Sequence, residues 1–286
     1  MRVIFVPVAD QPECAVALHT AFDIGNKLDA NVSGCHIRPH SHSDISLPED
    51  LGPLSDLDAV WSAISQGKKS NKDGGEAAKA LFANVAENND YALIKRPGAT
   101  RGAVWLEKVG SPDRVLSIMG PIADLIIVSR PSAKSGKLAH MFMLAALMNS
   151  GRPVLVLPQS SRKSVGRRIS IAWNQSTEAA NAVAAAMPLL QLADQVNIVS
   201  CGPENGLGPK ASQLATYLRF WGVKSRSIRA EASDPAKALI ASCKDTKSDL
   251  LVMGAYSRSR LRQQIFGGVT DHMLHKASIP VFMLHS

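Results

Sequence analysis

The sequence lacks the features that mark several specialised classes of protein. It has 4 cysteines in 286 residues and no CxxC spacing, which excludes a disulfide scaffold and predicts reduced, mostly buried thiols. No apolar run reaches about 18 residues, the length that a membrane-spanning helix needs. The apolar run at the N-terminus is interrupted at Asp10, too early for a signal peptide. These absences predict a cytoplasmic protein without a membrane partner.

Motifs that indicate catalysis are also missing. No GxSxG elbow is present, and no nucleophile stands near an identifiable base. The stretch SAKSGK at 132–137 is not a P-loop, because Pro131 stands where its first glycine is required. We therefore expect a binding protein rather than an enzyme, with at most slow incidental ATP hydrolysis.

Positive charge is concentrated in the second half of the chain. Residues 1–158 hold 16 Lys+Arg and 16 Asp+Glu, whereas 159–286 hold 16 and 8, so the whole excess of +8 lies after residue 158. Part of it falls in SSRKSVGRR at 160–168, which predicts an exposed linker. No RNA-binding or helix-turn-helix signature accompanies the basic regions, and interleaved aromatic residues are not evident there, so nucleic acid is not expected as a partner.

The same order of apolar strands and amphipathic helices occurs twice along the chain. This alternation predicts βαβ crossovers and parallel sheets covered by helices on both faces. The fold class is therefore α/β, with two tandem open parallel-sheet domains of Rossmann-like type. The expected boundaries are 1–158 for the first domain, 159–168 for a basic linker and 169–286 for the second domain.

Superposing the two copies shows where they differ. DLLVMGAYS at 249–257 aligns with DLIIVSRPS at 124–132, so Gly254 faces Ser129. Further on, Gly267 and Gly268 face His140 and Met141. The first copy keeps the strands and has lost the glycines.

The glycines of the second copy predict an anion site. Glycine permits positive φ and close approach of a ligand, and a loop leading into a helix N-terminus presents backbone N–H groups at the carboxyl edge of a parallel sheet. Three arginines in the loop, Arg258, Arg260 and Arg262, add donors suited to a polyphosphate. The alternative is that the glycines only allow close packing and that the arginines form a solvated face.

In this stretch the chain resembles the universal stress protein family in its tandem, two-domain form. Members that bind ATP carry glycine, two residues, glycine, nine residues, then glycine and Ser or Thr before a helix. The sequence keeps this spacing but departs in type at Ser257 and Gly268, and it has Asn174 where an Asp commonly lies beside the nucleotide. Asn is a poorer Mg²⁺ ligand than a carboxylate, so the part played by Mg²⁺ stays open. The site residues that the resemblance implies are Asn174, Gly254, Ser257, Gly267, Gly268, Val269 and Thr270.

The resemblance implies a stress-responsive regulator that binds ATP in its C-terminal domain. Binding should be weakened strongly by Gly267→Asp. We expect no nucleotide in the first domain, where Ala9 stands at the position of Asn174, with Asp10 just after it, and the glycine loop is gone. Two alternatives remain: an interaction scaffold of the same fold that binds anionic partners without nucleotide, and an enzyme acting on a phosphorylated small molecule.

Weaker signals concern metal, aromatic residues and assembly. CHIRPHSH offers Cys35, His36, His40 and His42 as zinc ligands by type, although the spacing matches no common zinc pattern. Trp105, Trp173 and Trp221 are interpreted as core residues, with Trp173 beside the predicted pocket. The last strands of the two copies, PVLVLP and PVFML, are expected to pair and form an intrachain pseudo-dimer, and a homodimer is also possible.

Overall fold

The computed structural model of the protein describes most of the chain, in eight ranges. These contain ten β-strands and eight α-helices, numbered here in chain order. The ranges are residues 1–8, 12–38, 70–96, 101–131, 137–159, 164–231, 234–256 and 268–285.

The first half of the molecule alternates strands and helices as predicted. One helix includes residues that normally break a helix: α2 starts at Ser70 and continues through Gly74 and Gly75. Gly75 lies against the His36 ring, where an added Cβ would be 3.4 Å from Nε2. The elements are β1 (Val3–Val8), α1 (Pro12–Leu28), β2 (Asn31–Arg38), α2 (Ser70–Glu87), β3 (Ala103–Val109), α3 (Pro112–Met119), a 3-10 turn (Gly120–Ile122), β4 (Leu125–Ser129), α4 (Lys137–Asn149) and β5 (Val154–Leu157).

The second half repeats this order with well-defined helix ends. Ser176 and Asp234 cap the helices that follow them, because their side chains accept hydrogen bonds from first-turn N–H groups. Gly222 has φ 74° just after a helix, as expected of a glycine that ends one. The elements are β6 (Arg168–Ala172), α5 (Thr177–Leu190), β7 (Gln195–Cys201), α6 (Ala211–Phe220), β8 (Ser225–Ala230), α7 (Pro235–Asp245), β9 (Leu250–Ala255), α8 (Val269–Lys276) and β10 (Val281–His285).

All ten strands belong to one sheet, in the order β3-β2-β1-β4-β5-β10-β9-β6-β7-β8. Neighbouring strands within each half are parallel, and both halves have the same internal order. The halves meet where β5 and β10 pair antiparallel, with Phe282 opposite Leu155. The expected pairing of the two last strands is therefore present.

A pair of aspartates shows how closely the halves repeat one another. Asp124 accepts hydrogen bonds from the N–H groups of Arg2 and Val3, at 2.6 and 3.0 Å. Asp249, its counterpart in the superposed sequences, accepts them from residues 166, 167 and 168 at 2.9 to 3.2 Å. In each half this carboxylate holds the start of the first strand beside the fourth.

Two apolar layers cover the sheet, one on each face. One layer contains buried residues of α1, α2, α5 and α6, and the other contains those of α3, α4, α7 and α8. Both layers include strands from both halves, so the core is continuous across the β5–β10 junction. In the described ranges, no helix has both the length and the apolar character that crossing a membrane requires.

The end of the basic linker is packed against the first half, contrary to the expectation that the linker is exposed. Val165 is buried in the core. Lys27 of α1 donates to Ser164 Oγ at 2.6 Å and to the Val165 carbonyl at 3.0 Å. The residues that lead into β6 are thereby fixed to α1.

Candidate functional site

A cavity of about 400 Å³ lies at the carboxyl edge of the second half. It opens between the ends of β6 and β9, where the strand order reverses, which is the usual ligand position in open α/β sheets. Its volume falls in the range of about 300–1,000 Å³ typical of small-molecule sites. The lining residues are Ala172, Trp173, Asn174, Ser176, Glu178, Val199, Cys201, Pro235, Leu239, Met253, Gly254, Ala255, Tyr256, Val269 and Thr270.

The turn from β6 into α5 forms one wall and orients Asn174. Ser176 Oγ accepts from the Ala179 N–H at 3.1 Å and donates to Asn174 Oδ1 at 2.7 Å. The Ser176 N–H also donates to Asn174 Oδ1, at 3.2 Å. Because the side-chain oxygen of Asn174 serves this cap, its Nδ2 amide is the group left to donate to a ligand.

The same turn is strained and is tied to the loop before α6. Gln175 has φ 63°, a conformation that costs a non-glycine residue free energy and occurs often at functional sites. Its side chain donates to the Gly208 carbonyl at 2.7 Å and accepts from the Gly206 N–H at 3.0 Å. Trp173 Nε1 donates to the Pro209 carbonyl at 2.8 Å, so the indole is held in the cavity wall.

Gly254 is required for close packing of α5 on β9. A Cβ at this position would lie 2.6 Å from the Ala179 nitrogen and 2.7 Å from Glu178 Cβ. Most of this obstruction is backbone at the start of α5, which cannot rotate away as a long side chain can. The glycine lines the cavity, as predicted, but its missing side chain makes room for the helix rather than for a ligand.

The N-terminus of α8 forms the opposite wall. Gly268 precedes the helix with φ 83° and ψ −145°, a backbone conformation that only glycine adopts without strain. Val269 and Thr270 follow in the first turn and line the cavity. The first N–H groups of a helix have no acceptor within it and carry the positive end of its dipole, so this wall favours an anion.

Charged side chains contribute little to the described part of the cavity. Glu178 is the only ionisable acid that lines it, and none of the described lining residues is Lys or Arg. Burial raises the pKa of Cys201, so its thiol stays protonated at neutral pH. Burial, and then the charge of Asp271, raise the pKa of Tyr256, which is also neutral and has a positive φ of 42°. Within the described lining, the positive potential of the cavity therefore comes from the backbone N–H groups at the start of α8.

The corresponding place in the first half is built differently. Ser129 Oγ donates to the Glu13 carbonyl at 2.6 Å, so a side chain bridges β4 and the start of α1 where Gly254 leaves none. The next residue, Arg130, is only 8% exposed and points toward the other half. It donates to the carbonyls of Met273, Leu274 and Ala277 at the C-terminal end of α8.

The structure brings together four of the seven residues predicted for the site: Asn174, Gly254, Val269 and Thr270 all line the cavity. Gly268 adjoins it at the start of α8. Ser257 and Gly267, like the loop arginines, lie outside the described residues. Trp173 borders the cavity as expected. Lining residues that the sequence analysis missed include Glu178, Val199, Cys201, Leu239 and Tyr256, and their position at strand and helix ends is the signal that could have indicated them.

The two suggested zinc ligands that the structure describes do not converge on a metal site. Cys35 and His36 are consecutive in β2, so their side chains point to opposite faces of the sheet and cannot converge on one ion. His36 Nδ1 lies 3.1 Å from the Val8 carbonyl. His40 and His42 lie outside the described residues. Among the residues that are described, no group of three or more His, Cys, Asp or Glu is placed to hold a metal.

The order of strands defines a doubly wound α/β fold with a cavity at the carboxyl edge of its second half. Residues 176–285 match the sequence profile of the Universal stress protein family. This match covers most of the second half of the chain and confirms the resemblance that the glycine spacing indicates.

Solved structures share the fold of the whole chain. A universal stress protein from Archaeoglobus fulgidus DSM 4304 is similar with a TM-score of 0.65 and 16% identity, covering 99% of this chain and 98% of that one. A protein of unknown function from Pseudomonas aeruginosa PAO1 is similar with a TM-score of 0.56 and 14% identity, covering 100% of this chain and 92% of that one. No curated protein matches the sequence significantly. At these identities the likeness establishes the fold alone.

Proposed function

We propose that the second half binds an adenine nucleotide, ATP in particular, and that the protein is a cytoplasmic, stress-responsive regulator rather than an enzyme. The observation that carries this proposal is the cavity of about 400 Å³ between β6 and β9, which the N-terminus of α8 closes on one side. Such a helix end binds phosphate through backbone N–H groups. The family match over residues 176–285 supports the same function.

The two sides of the cavity suit the two ends of a nucleotide. The amides at Val269 and Thr270, with the Thr270 hydroxyl, would hold phosphate. Leu239 and Val199 supply an apolar wall for the base, and the Asn174 amide can donate to the ribose or the base. A magnesium ion, if it accompanies the phosphates, would have Glu178 as its one described carboxylate ligand.

Thr270→Asp tests the phosphate side with little risk to the fold. The helix dipole stabilises a carboxylate in the first turn of α8, but the negative charge of this carboxylate would repel phosphate. We expect ATP affinity to fall by at least about tenfold, about 1.4 kcal/mol, in a calorimetric titration. Ser212→Asp places the same charge in the first turn of α6, outside the cavity lining, and should leave the affinity unchanged. Equal affinities in both variants would contradict the assignment of the phosphate to α8.

Co-purified ligand gives an independent test. The protein is denatured and the released small molecules are identified by mass spectrometry. Recovery of adenine nucleotide from the wild type, and much less from Thr270→Asp, is the expected result. If no nucleotide is recovered and millimolar ATP changes neither the heat of titration nor the melting temperature, the proposed function is wrong.

An interaction scaffold of the same fold is the second candidate. It is favoured by one observation: the packing of α5 against β9 accounts for Gly254 without any ligand. A scaffold would bind its partners equally well with and without ATP. Partner binding that depends on ATP would argue against it.

A further inference from the structure

The outer end of α6 carries an unusual group of exposed aromatic rings. Tyr217, Phe220 and Trp221 are 40%, 85% and 48% exposed, and no other described Phe, Tyr or Trp is comparably exposed. Trp221 was expected to be a core residue, and that expectation is wrong. The helix uses Ala211, Leu214 and Leu218 for its buried face, which leaves the three rings away from the sheet.

Basic residues flank these rings along the chain. Residues 205–230 contain no Asp or Glu, and they supply part of the charge excess of the second half. Within the described residues, none of the basic side chains of this segment forms an ion pair. The basic residues are Lys210, Arg219, Lys224, Arg226 and Arg229.

The rings and most of the cations lie on adjacent elements. α6 leads through a short turn into β8, the outermost strand of the second half, which pairs only with β7 among the described strands. Because the helix runs back against the strand direction, its last turn and the start of β8 meet at the amino edge of the sheet, opposite the cavity. The α6–β8 strip is defined as Tyr217, Arg219, Phe220, Trp221 and Lys224.

We propose that the α6–β8 strip binds single-stranded nucleic acid, a partner that the sequence alone did not lead us to expect. Unpaired cations attract a phosphate backbone, and exposed rings stack on bases that a single strand leaves accessible. Tyr217 and Trp221 are one helical turn apart with ring centroids 6.5 Å from each other, and Phe220, next to Trp221 in the chain, is 85% exposed. The strip is separate from the candidate nucleotide cavity, so this inference does not depend on the proposed function.

Other anionic partners fit the strip less well. A peptide that added a strand to β8 would meet Arg226 and Arg229, and charged residues on an edge strand oppose strand addition. A duplex hides its base faces and would leave the rings unused. The exposed large side chains of the strip are all aromatic, whereas elsewhere on the described surface they are aliphatic, such as Ile118 and Ile122. This segregation of rings with cations favours a partner that stacks.

The test is fluorescence anisotropy of a labelled oligothymidylate of about 12 nucleotides, titrated with the full chain. We expect binding that weakens with salt. Phe220→Ala and Trp221→Ala should each weaken it roughly tenfold, because stacking contributes that much per base. Arg219→Ser with Lys224→Ser should reduce the slope of log K against log salt by about 1.4, at about 0.7 per phosphate contact.

Matched controls lie on the first half, where Ile122 and Arg114 are also exposed. Ile122→Ala and Arg114→Ser should bind the oligonucleotide like the wild type. Absence of binding at low salt, or binding that the ring variants leave unchanged, would overturn the proposal. So would stronger binding to an equal length of duplex, to polyglutamate or to vesicles containing phosphatidylserine. Far-UV circular dichroism confirms that each variant is folded before its affinity is compared.

Discussion

The two halves of the molecule share one strand order but differ where the fourth strand meets the first helix. In the second half, Gly254 lets the start of α5 approach so closely that any Cβ would strike its backbone at 2.6 Å. In the first half, Ser129 occupies this place and its hydroxyl donates to the Glu13 carbonyl at 2.6 Å. In this fold, the requirement for glycine at one position can therefore come from helix packing as much as from a ligand.

The next position differs in a more consequential way. Ala255 borders the cavity of the second half, whereas its counterpart Arg130 leaves the first half and holds the C-terminal carbonyls of α8. The opposite end of that short helix faces the cavity. The first half, which was expected to bind no nucleotide, thus supports the helix that closes the site of the second.

Removing this link should have the largest effect. Arg130→Met takes donors from three buried carbonyls, so we expect a loss of about 3 kcal/mol in the free energy of unfolding, measured with urea. Arg152→Met is the matched control. Its guanidinium donates to the Pro121 carbonyl in an exposed position, and the loss should stay below about 1 kcal/mol. Similar losses in the two variants would show that Arg130 does not join the halves.

Exchanging the first junction residue should have the next largest effect. Gly254→Ser forces the backbone at Glu178 and Ala179 to move, and overpacking of this kind costs about 2 kcal/mol. We expect reduced stability on urea denaturation, together with weaker ATP binding, because the displaced turn borders the cavity. A fully stable variant would mean that α5 can adopt the looser packing found in the first half.

The reverse exchange should cost less. Ser129→Gly removes the hydrogen bond to Glu13 and adds backbone freedom to the unfolded chain, and together these lower stability by about 1 kcal/mol. Urea denaturation measures the change, with Ser129→Ala separating the loss of the hydrogen bond from the effect of glycine. ATP binding should not change. A change in ATP affinity would place a nucleotide contact in the first half.

The smallest expected effect is on thiol reactivity. Cys201 lines the cavity and Cys14 lies in α1 of the first half, and both are half-buried. Burial raises the pKa of Cys201, so alkylation by iodoacetamide should accelerate only as the solution becomes alkaline. We expect ATP to slow alkylation of Cys201 a few-fold and to leave Cys14 unaffected. Equal protection of both thiols would contradict a ligand confined to the second half.

The sequence predicted the architecture well because buried parallel strands are continuous apolar runs. DLLVMG and DLIIVS both proved to be central strands, and the helix caps Ser176 and Asp234 were recognisable from residue type. The first turns of α2 are harder to predict, because the pair Gly74 and Gly75 usually breaks a helix and here lies within one. Local signals of this kind cannot anticipate a tertiary contact such as that of Gly75 with His36.

The position of the cavity could be predicted from the sequence better than its lining. The glycine spacing indicated the edge of the sheet at which the cavity lies, and Asn174 and Thr270 both border it. The sequence could not show why residue 254 is glycine, because the reason is the short distance between β9 and the start of α5. The exposure of Trp221 was missed for the same reason: the face of α6 that meets the sheet is decided by packing, not by the residue itself.

Photolabelling with 8-azido-ATP, followed by peptide mapping, tests the central claim most directly. The account predicts label in peptides of the second half that contain Asn174, Cys201 or Thr270, and its loss when unmodified ATP competes. Label confined to peptides of the first half, around Ser129 or Glu13, would contradict it.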